Sequence, residues 1–226
     1  MDRLGTGTGS GRRRTRLRLL QTLAGILGLV AGLATAAAAQ TLSLSETEDL
    51  VRSVYFEGLP EEQALRVGPA GAQRLIEMLQ DPEESPAHAN ILMTLGICGQ
   101  PGAYAAIDEW ASRSREGEID RDTFRAWQML PYALGQVARH DRRALVRLEA
   151  TLDEEAPTWT FRHHRGARLH HQARRAAATA LALSGLPEAG EILDRLSQRT
   201  SDADFDAHLR AARALQRSRA AGGPTR

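Results

Sequence analysis

The chain has 226 residues and a mass of 24.6 kDa, enough for one ordinary domain behind a leader or for a short repeat array. Its hydrophobic share of 42% and charged share of 25% are those of a folded globular chain and exclude wholesale disorder. All 29 basic residues are arginine and Cys98 is the one cysteine. This excludes a Walker A lysine, a Schiff-base or general-base lysine, an intrachain disulfide and any multi-cysteine metal centre.

The N-terminus reads as a leader. Arg12, Arg13, Arg14, Arg16 and Arg18 precede an uncharged apolar run over 19–36, which ends in Ala37-Ala38-Ala39 before Gln40. A basic n-region, an apolar h-region and a small-residue cleavage site make a secretory signal peptide over 1–39. The remainder is expected to be exported, to a periplasm or outside the cell. An uncleaved anchor helix is the alternative, because the apolar run is nearly long enough to span a bilayer. Membrane contact is expected only through that leader, and the stretch has no cysteine for a lipid anchor. Residues 1–39 carry six Arg and one Asp, so residues 40–226 hold 23 Arg against 27 acids, a net charge of −4. A nucleic-acid-binding reading loses its electrostatic footing with the leader removed. Arginine without lysine, and a single asparagine at Asn90, point to a GC-rich bacterial genome.

Past the leader no segment alternates like a strand, and apolar residues recur at helical spacing. Leu50, Val51, Val54 and Tyr55 make one stripe, opened by a capping box of Ser45 and Glu48, in an N-terminal helical cap over 40–68. Leu75, Ile76 and Leu79 follow, then Ile91, Leu92, Leu95 and Cys98. Next come Ala103, Ile107 and Trp110, then Phe124, Trp127, Leu130, Leu134 and Val137. Leu145, Leu148 and Leu152 precede Ala177, Ala178 and Leu181; Ile192, Leu193 and Leu196 precede Phe205, Leu209, Ala212 and Leu215. Residues 221–226 read as a disordered tail. Gly99 and Gly185 sit where helices end and φ > 0 is wanted, and Pro101 and Pro187 are expected to open the next helices. Pro131 is expected to kink a helix over 122–138. Cys98, on an apolar stripe, reads as a packing thiol.

Each stripe leaves one apolar face that a single helix cannot bury, so the helices must pack in pairs. The pairs repeat. Laying Gly99-Gln100-Pro101 over Gly185-Leu186-Pro187, an offset of 86, puts Ile91 on Ala177, Leu95 on Leu181, Ile107 on Leu193 and Trp110 on Leu196. A degenerate copy lies between, with Leu134 before its turn and Leu145 and Leu148 after it. Half of that offset is the length of one helical hairpin repeat. With Pro69 through LIEMLQDP at 75–82, its Asp81-Pro82 turn, and ARRAAATALALSGLPEAGEILDRL at 173–196, the chain resembles the HEAT-repeat family. The resemblance implies an all-α fold, a right-handed α-α superhelix (solenoid) of about four HEAT-like hairpins at 69–100, 101–140, 141–186 and 187–220. The middle two units depart from the pattern, with long turns inside the hairpin and no Asp-Pro.

No HExxH, GxSxG, GxGxxG or DxDxDG motif is present, and the carboxylates lie in runs such as Glu61-Glu62, Glu83-Glu84 and Asp153-Glu154-Glu155 that read as solvated turns. One segment stands apart. No acid occurs between Glu155 and Glu188, while Trp159, Phe161, Arg162, Arg165, Arg168, Arg174 and Arg175 all lie there, with His163, His164, His170 and His171. The long connection over 153–168 is the place for a functional loop. Three readings compete. The histidines could ligate a metal or haem, although the i, i+4 pairing is absent and the arginines repel a cation. The arginines and aromatics could recognise an anion or an acidic protein surface. Or Trp159 and Phe161 fold back as cover for the core. A site for an acidic partner is expected to gain affinity as pH falls through the histidine range and lose it with salt.

These residues predict an exported, non-enzymatic HEAT-repeat scaffold without a cofactor, which holds a protein partner in the cell envelope. The alternative is an enzyme accessory or a binder of metal, haem or chromophore through 162–175. Some proteins with related helical repeats are similar to the phycobilisome lyases.

Overall fold

A computed structural model describes residues 40–222; the predicted leader over 1–39 and residues 223–226 of the predicted tail lie outside the described residues. Among the described residues the fold is all-α, with ten α-helices and no strand. In chain order they are α1 (Leu44–Arg52), α2 (Glu61–Ala64), α3 (Pro69–Gln80), α4 (His88–Cys98), α5 (Ala103–Ala111), α6 (Arg121–Val137), α7 (Arg143–Asp153), α8 (Gly166–Ser184), α9 (Pro187–Arg199) and α10 (Ala203–Ala220). A 3-10 turn, Pro82–Ala87, leads into α4. No helix among them is long and apolar enough to cross a membrane.

Local chemistry sets the helix ends. The Ser43 hydroxyl accepts from the Glu46 amide at 3.2 Å while the Glu46 carboxylate accepts from the Ser43 amide at 2.8 Å, so α1 starts on a capping box. The box was expected at Ser45 and Glu48. It forms two residues earlier, and Glu48 instead pairs with Arg52 and Arg74. Val54, expected on the α1 stripe, lies past the helix end and is 80% exposed, because the Ser53 amide and hydroxyl both close on the Asp49 carbonyl. α4 and α8 end on left-handed Gly99 (φ 57°) and Gly185 (φ 72°), and α9 opens on Pro187. Pro101 does not open α5. A second left-handed residue, Gly102 (φ 88°), has to turn the chain first, and α5 starts at Ala103. α6 runs unbroken through Pro131, which leaves the Trp127 carbonyl without its i+4 donor.

The helices pack as consecutive hairpins: α3 with α4, α5 with α6, α7 with α8, α9 with α10. α4, α6, α8 and α10 also pack each on the next and form one row; α3, α5 and α7 form another. Between the rows lies a continuous core that includes fully buried Leu75, Ile91, Leu95, Ile107, Leu148 and Leu181. Each such side chain stabilises the fold by about 1.5–3 kcal/mol. Within the first row the backbones come close. A Cβ at Gly96 would lie 2.5 Å from the Ala133 carbonyl oxygen, and one at Gly135 would lie 2.7 Å from that of Ala180. Cys98 is half-buried beside the Leu95 carbonyl at 3.6 Å, and burial pushes its thiol above the usual range.

Candidate functional site: a groove across the α4–α6–α8–α10 row

The site is built from two long connections, 112–120 before α6 and 154–165 before α8. They are tied to each other. The Ile119 amide donates to the Thr160 carbonyl at 2.9 Å, the Thr160 amide to the Gly117 carbonyl at 2.8 Å, and the Arg162 amide to a Glu118 carboxylate oxygen at 3.2 Å. Phe124, Trp159 and Leu169 form a second small core under this tie, with Ile119, Trp127 and Phe161 packed against it. Phe124 stacks on Phe161 at 4.1 Å and Trp127 meets Trp159 edge-on at 4.9 Å. Trp159 is 6% exposed, so it holds the connection down and offers a partner almost no surface.

That anchoring fixes where α8 begins and which of its side chains face outward. On α8, residues 168, 171, 172, 175, 176 and 179 fall on one face, following the 3.6-residue repeat, and His164 joins them from the connection. Opposite them α6 presents Trp127, Gln128, Met129, Pro131 and Tyr132, and α10 contributes His208. Together these line an open cavity of about 630 Å³. Arg168 and Arg175 make its charge, His164, His171 and His208 lie beside them, and no carboxylate lines it. Among the described residues neither Arg168 nor Arg175 forms an ion pair or a side-chain hydrogen bond. The His208 Nε2 is fixed against the Arg175 carbonyl at 3.0 Å and the Thr179 hydroxyl at 3.2 Å.

Two further cavities continue along the row. One of about 290 Å³ is lined by Met93, Met129, Tyr132, Gly135, Gln136, Ala180 and Leu183. The next, about 460 Å³, lies between α4, α6 and the 55–61 segment and shares Met93, Met129 and Gln136. The shared residues join all three into one groove, apolar in the middle and cationic at the α8–α10 end. The far end is mixed, with Glu61 and Arg125.

The expected site residues divide. Arg168 and Arg175 line the groove. Arg162 sits in the left-handed region (φ 48°) on the connection, with its guanidinium 5.2 Å over Phe161. Arg165 is the residue before α8, and exposed. Arg174 points the other way, 4.0 Å over the Phe205 ring. His163 is exposed on the turn. His164 and His171 line the groove, whereas His170 lines a separate cavity of about 340 Å³ beside Trp159. Adjacent residues on a helix point about 100° apart, so His170 and His171 cannot share a ligand. His164 Nδ1 and His170 Nε2 are buried without a hydrogen-bond partner, in different cavities. Among the described residues no group of three or more His, Cys, Asp or Glu is placed to hold a metal.

The groove also contains residues that the sequence reading did not single out: Met93, Met129, Tyr132, Gln128, Gln136, Gln172 and His208. A signal existed for three of them. Met93, Met129 and Tyr132 are large apolar side chains lying off the core stripes, and apolar residues outside a core stripe mark a second face. The glutamines carried none. No family model, no curated protein and no solved structure matches this chain.

Proposed function

We propose that this protein is an exported scaffold whose hairpins stack in the manner of HEAT repeats as a right-handed superhelix, and which holds a protein partner in the cell envelope. Hairpin packs on hairpin in chain order, which supports the superhelix. The observation that carries the partner-binding reading is the groove itself. It crosses successive helices, stays open along its length, and keeps two arginines unpaired at one end. Such a surface suits a long partner better than a small enclosed substrate, and the reading includes no catalysis and no cofactor.

Two measurements test this. Small-angle X-ray scattering should give an elongated particle; a spherical one would remove the superhelix. Affinity purification of the full chain from the envelope fraction should retrieve one protein partner in stoichiometric amount. A chain that arrives coloured or metal-loaded with no protein partner would replace this reading with a ligand-binding accessory.

A further inference from the structure

We infer that the groove takes an extended peptide segment, with one or more carboxylates at the α8–α10 end and an apolar side chain over Met93, Met129 and Tyr132. The inference rests on the partner-binding reading above and specifies the chemistry of the partner.

The length argument comes first. Neighbouring helix axes lie about 9 Å apart. The groove crosses from α4 to α10, three such steps, or roughly 27 Å. An extended chain advances about 3.3 Å per residue, so roughly eight residues fill it.

The charge argument fixes the direction. At the α8–α10 end every charged or titratable lining group apart from the Tyr132 phenol is basic: His164, Arg168, His171, Arg175 and His208. The facing wall from α6 is uncharged. Arg168 and Arg175 lie seven residues apart on one helix face, about two turns, so their guanidinium forks can take two carboxylates of one chain. Forked donors match carboxylates in geometry, and both guanidinium groups are exposed, with no carboxylate of the lining to compete for them. The chain is otherwise net acidic beyond its leader, so this end is a local reversal of sign.

The middle of the groove argues for a peptide over a bare anion. Met93 and Met129 give a wall that adapts to an inserted aliphatic or aromatic side chain, and Tyr132 adds a flat face. The Gln128, Gln136 and Gln172 side-chain amides line the groove in three places, and none hydrogen-bonds to another described residue. A side-chain amide offers both a donor and an acceptor, which is what an extended backbone requires of its surroundings. A free carboxylate or phosphate would leave these amides and the methionine wall unused. A lipid surface is flat and does not enter a recessed channel between helices.

The test is selection of displayed random twelve-residue peptides on the purified full chain. Selected sequences are expected to carry Asp or Glu towards one end and Leu, Ile, Met or Phe a few residues away. A synthetic copy of a selected peptide should change the fluorescence of Trp127, the half-buried tryptophan in the groove wall, and this change should vanish in Trp127→Phe. Arg168→Gln with Arg175→Gln should weaken binding by about two- to fivefold per arginine while leaving the melting temperature unchanged. Selected peptides without acid enrichment, equal binding by the double variant, or no enrichment at all would overturn the inference. Binding of inorganic phosphate or octanoate with no peptide selected would assign the cationic end to a small anion and overturn it as well. If the envelope partner is retrieved equally by the double variant, and its cross-links fall outside the groove, the peptide inference fails while the scaffold reading stands. If no partner is retrieved at all, the scaffold reading fails on its own experiment.

Discussion

Gly135 of α6 lies directly against the Ala180 carbonyl of α8, and a Cβ on that glycine would be 2.7 Å from the oxygen. One hairpin earlier, Gly96 of α4 meets Ala133 of α6 in the same way. Thr94-Leu95-Gly96, Ala133-Leu134-Gly135 and Ala180-Leu181-Ala182 are three copies of a small–Leu–small triplet. The leucine enters the core and the small residues let the next backbone approach. Gly135 and Ala180 also line the middle of the groove, so the close crossing shapes its floor.

Gly135→Ala is therefore expected to destabilise the fold. Alanine favours a helix over glycine by about 1 kcal/mol. The obstacle here is backbone, which cannot swing aside, and overpacking of this kind costs about 1–3 kcal/mol. A lower chemical-denaturation midpoint is the expected result for Gly135→Ala and for Gly96→Ala. A raised midpoint would show that the helices separate without cost.

Trp159→Ala should release the tie between the two long connections. The ring meets Trp127 at 4.9 Å and Phe124 at 6.5 Å, and its loss costs about 3 kcal/mol if the cluster stays open. The Ile119 and Thr160 amides bond across the tie, so their hydrogen exchange should accelerate ahead of amides in α4. Unchanged exchange at both would show that the tie holds without the tryptophan.

His88 should make stability fall on mild acidification. It is buried; its Nδ1 accepts from the Trp110 indole N–H at 3.3 Å, and its Nε2 meets the Asp81 carbonyl at 3.2 Å. Those two partners suit the neutral ring with its proton on Nε2. Burial lowers the His88 pKa below the ordinary value of 6.5, although the Asp81 and Met78 backbone contacts oppose it. The unfolded chain thus takes up a proton before the folded one does. The contribution is complete above the unfolded pKa and is lost as pH falls from about 6.5 towards the folded value. Urea denaturation at pH 5 and 7.5 should show this loss, and His88→Gln, which keeps a neutral acceptor for Trp110, should reduce it.

Asp120→Ala should weaken the start of α6 by about 1 kcal/mol. One carboxylate oxygen accepts from the Asp122 and Thr123 amides, both at 2.8 Å, and the other from the Thr123 hydroxyl at 2.7 Å. Burial tends to raise the Asp120 pKa, but the hydrogen bonds from Thr123 and Asp122 outweigh it and hold the carboxylate below its usual range. Asp120→Asn should retain most of the stability that Asp120→Ala loses, as read by thermal melting.

The helices were legible because their signals are local. Spacing of apolar residues, left-handed Gly99 and Gly185, and Pro187 at a helix start depend only on neighbours a turn away. The two ends that moved, at Ser43 and Ala103, moved because another residue competed: Arg74 and Arg52 drew off Glu48, and Gly102 interposed a second turn. The long connection before α8 was also legible from its length and from the absence of acids after Glu155.

The amino-acid order by itself determined an all-α chain, the position of its turns and the acid-free block before and within α8, because each is a matter of composition or helical period. It did not determine which side of that block faces a ligand. Only the tertiary structure brought the 112–120 connection against 154–165. That contact buried Trp159 and set the rotation of α8, so that Arg168 and Arg175 face the groove while Arg174 turns to Phe205. The groove itself, with Met93 from α4, Met129, Tyr132, Gln128 and Gln136 from α6, and Gln172 from α8, exists only where the α4–α6–α8 row closes. Its depth depends on backbone distances at Gly96 and Gly135, which arise from contacts between residues about 40 positions apart and leave no periodic trace in either helix alone.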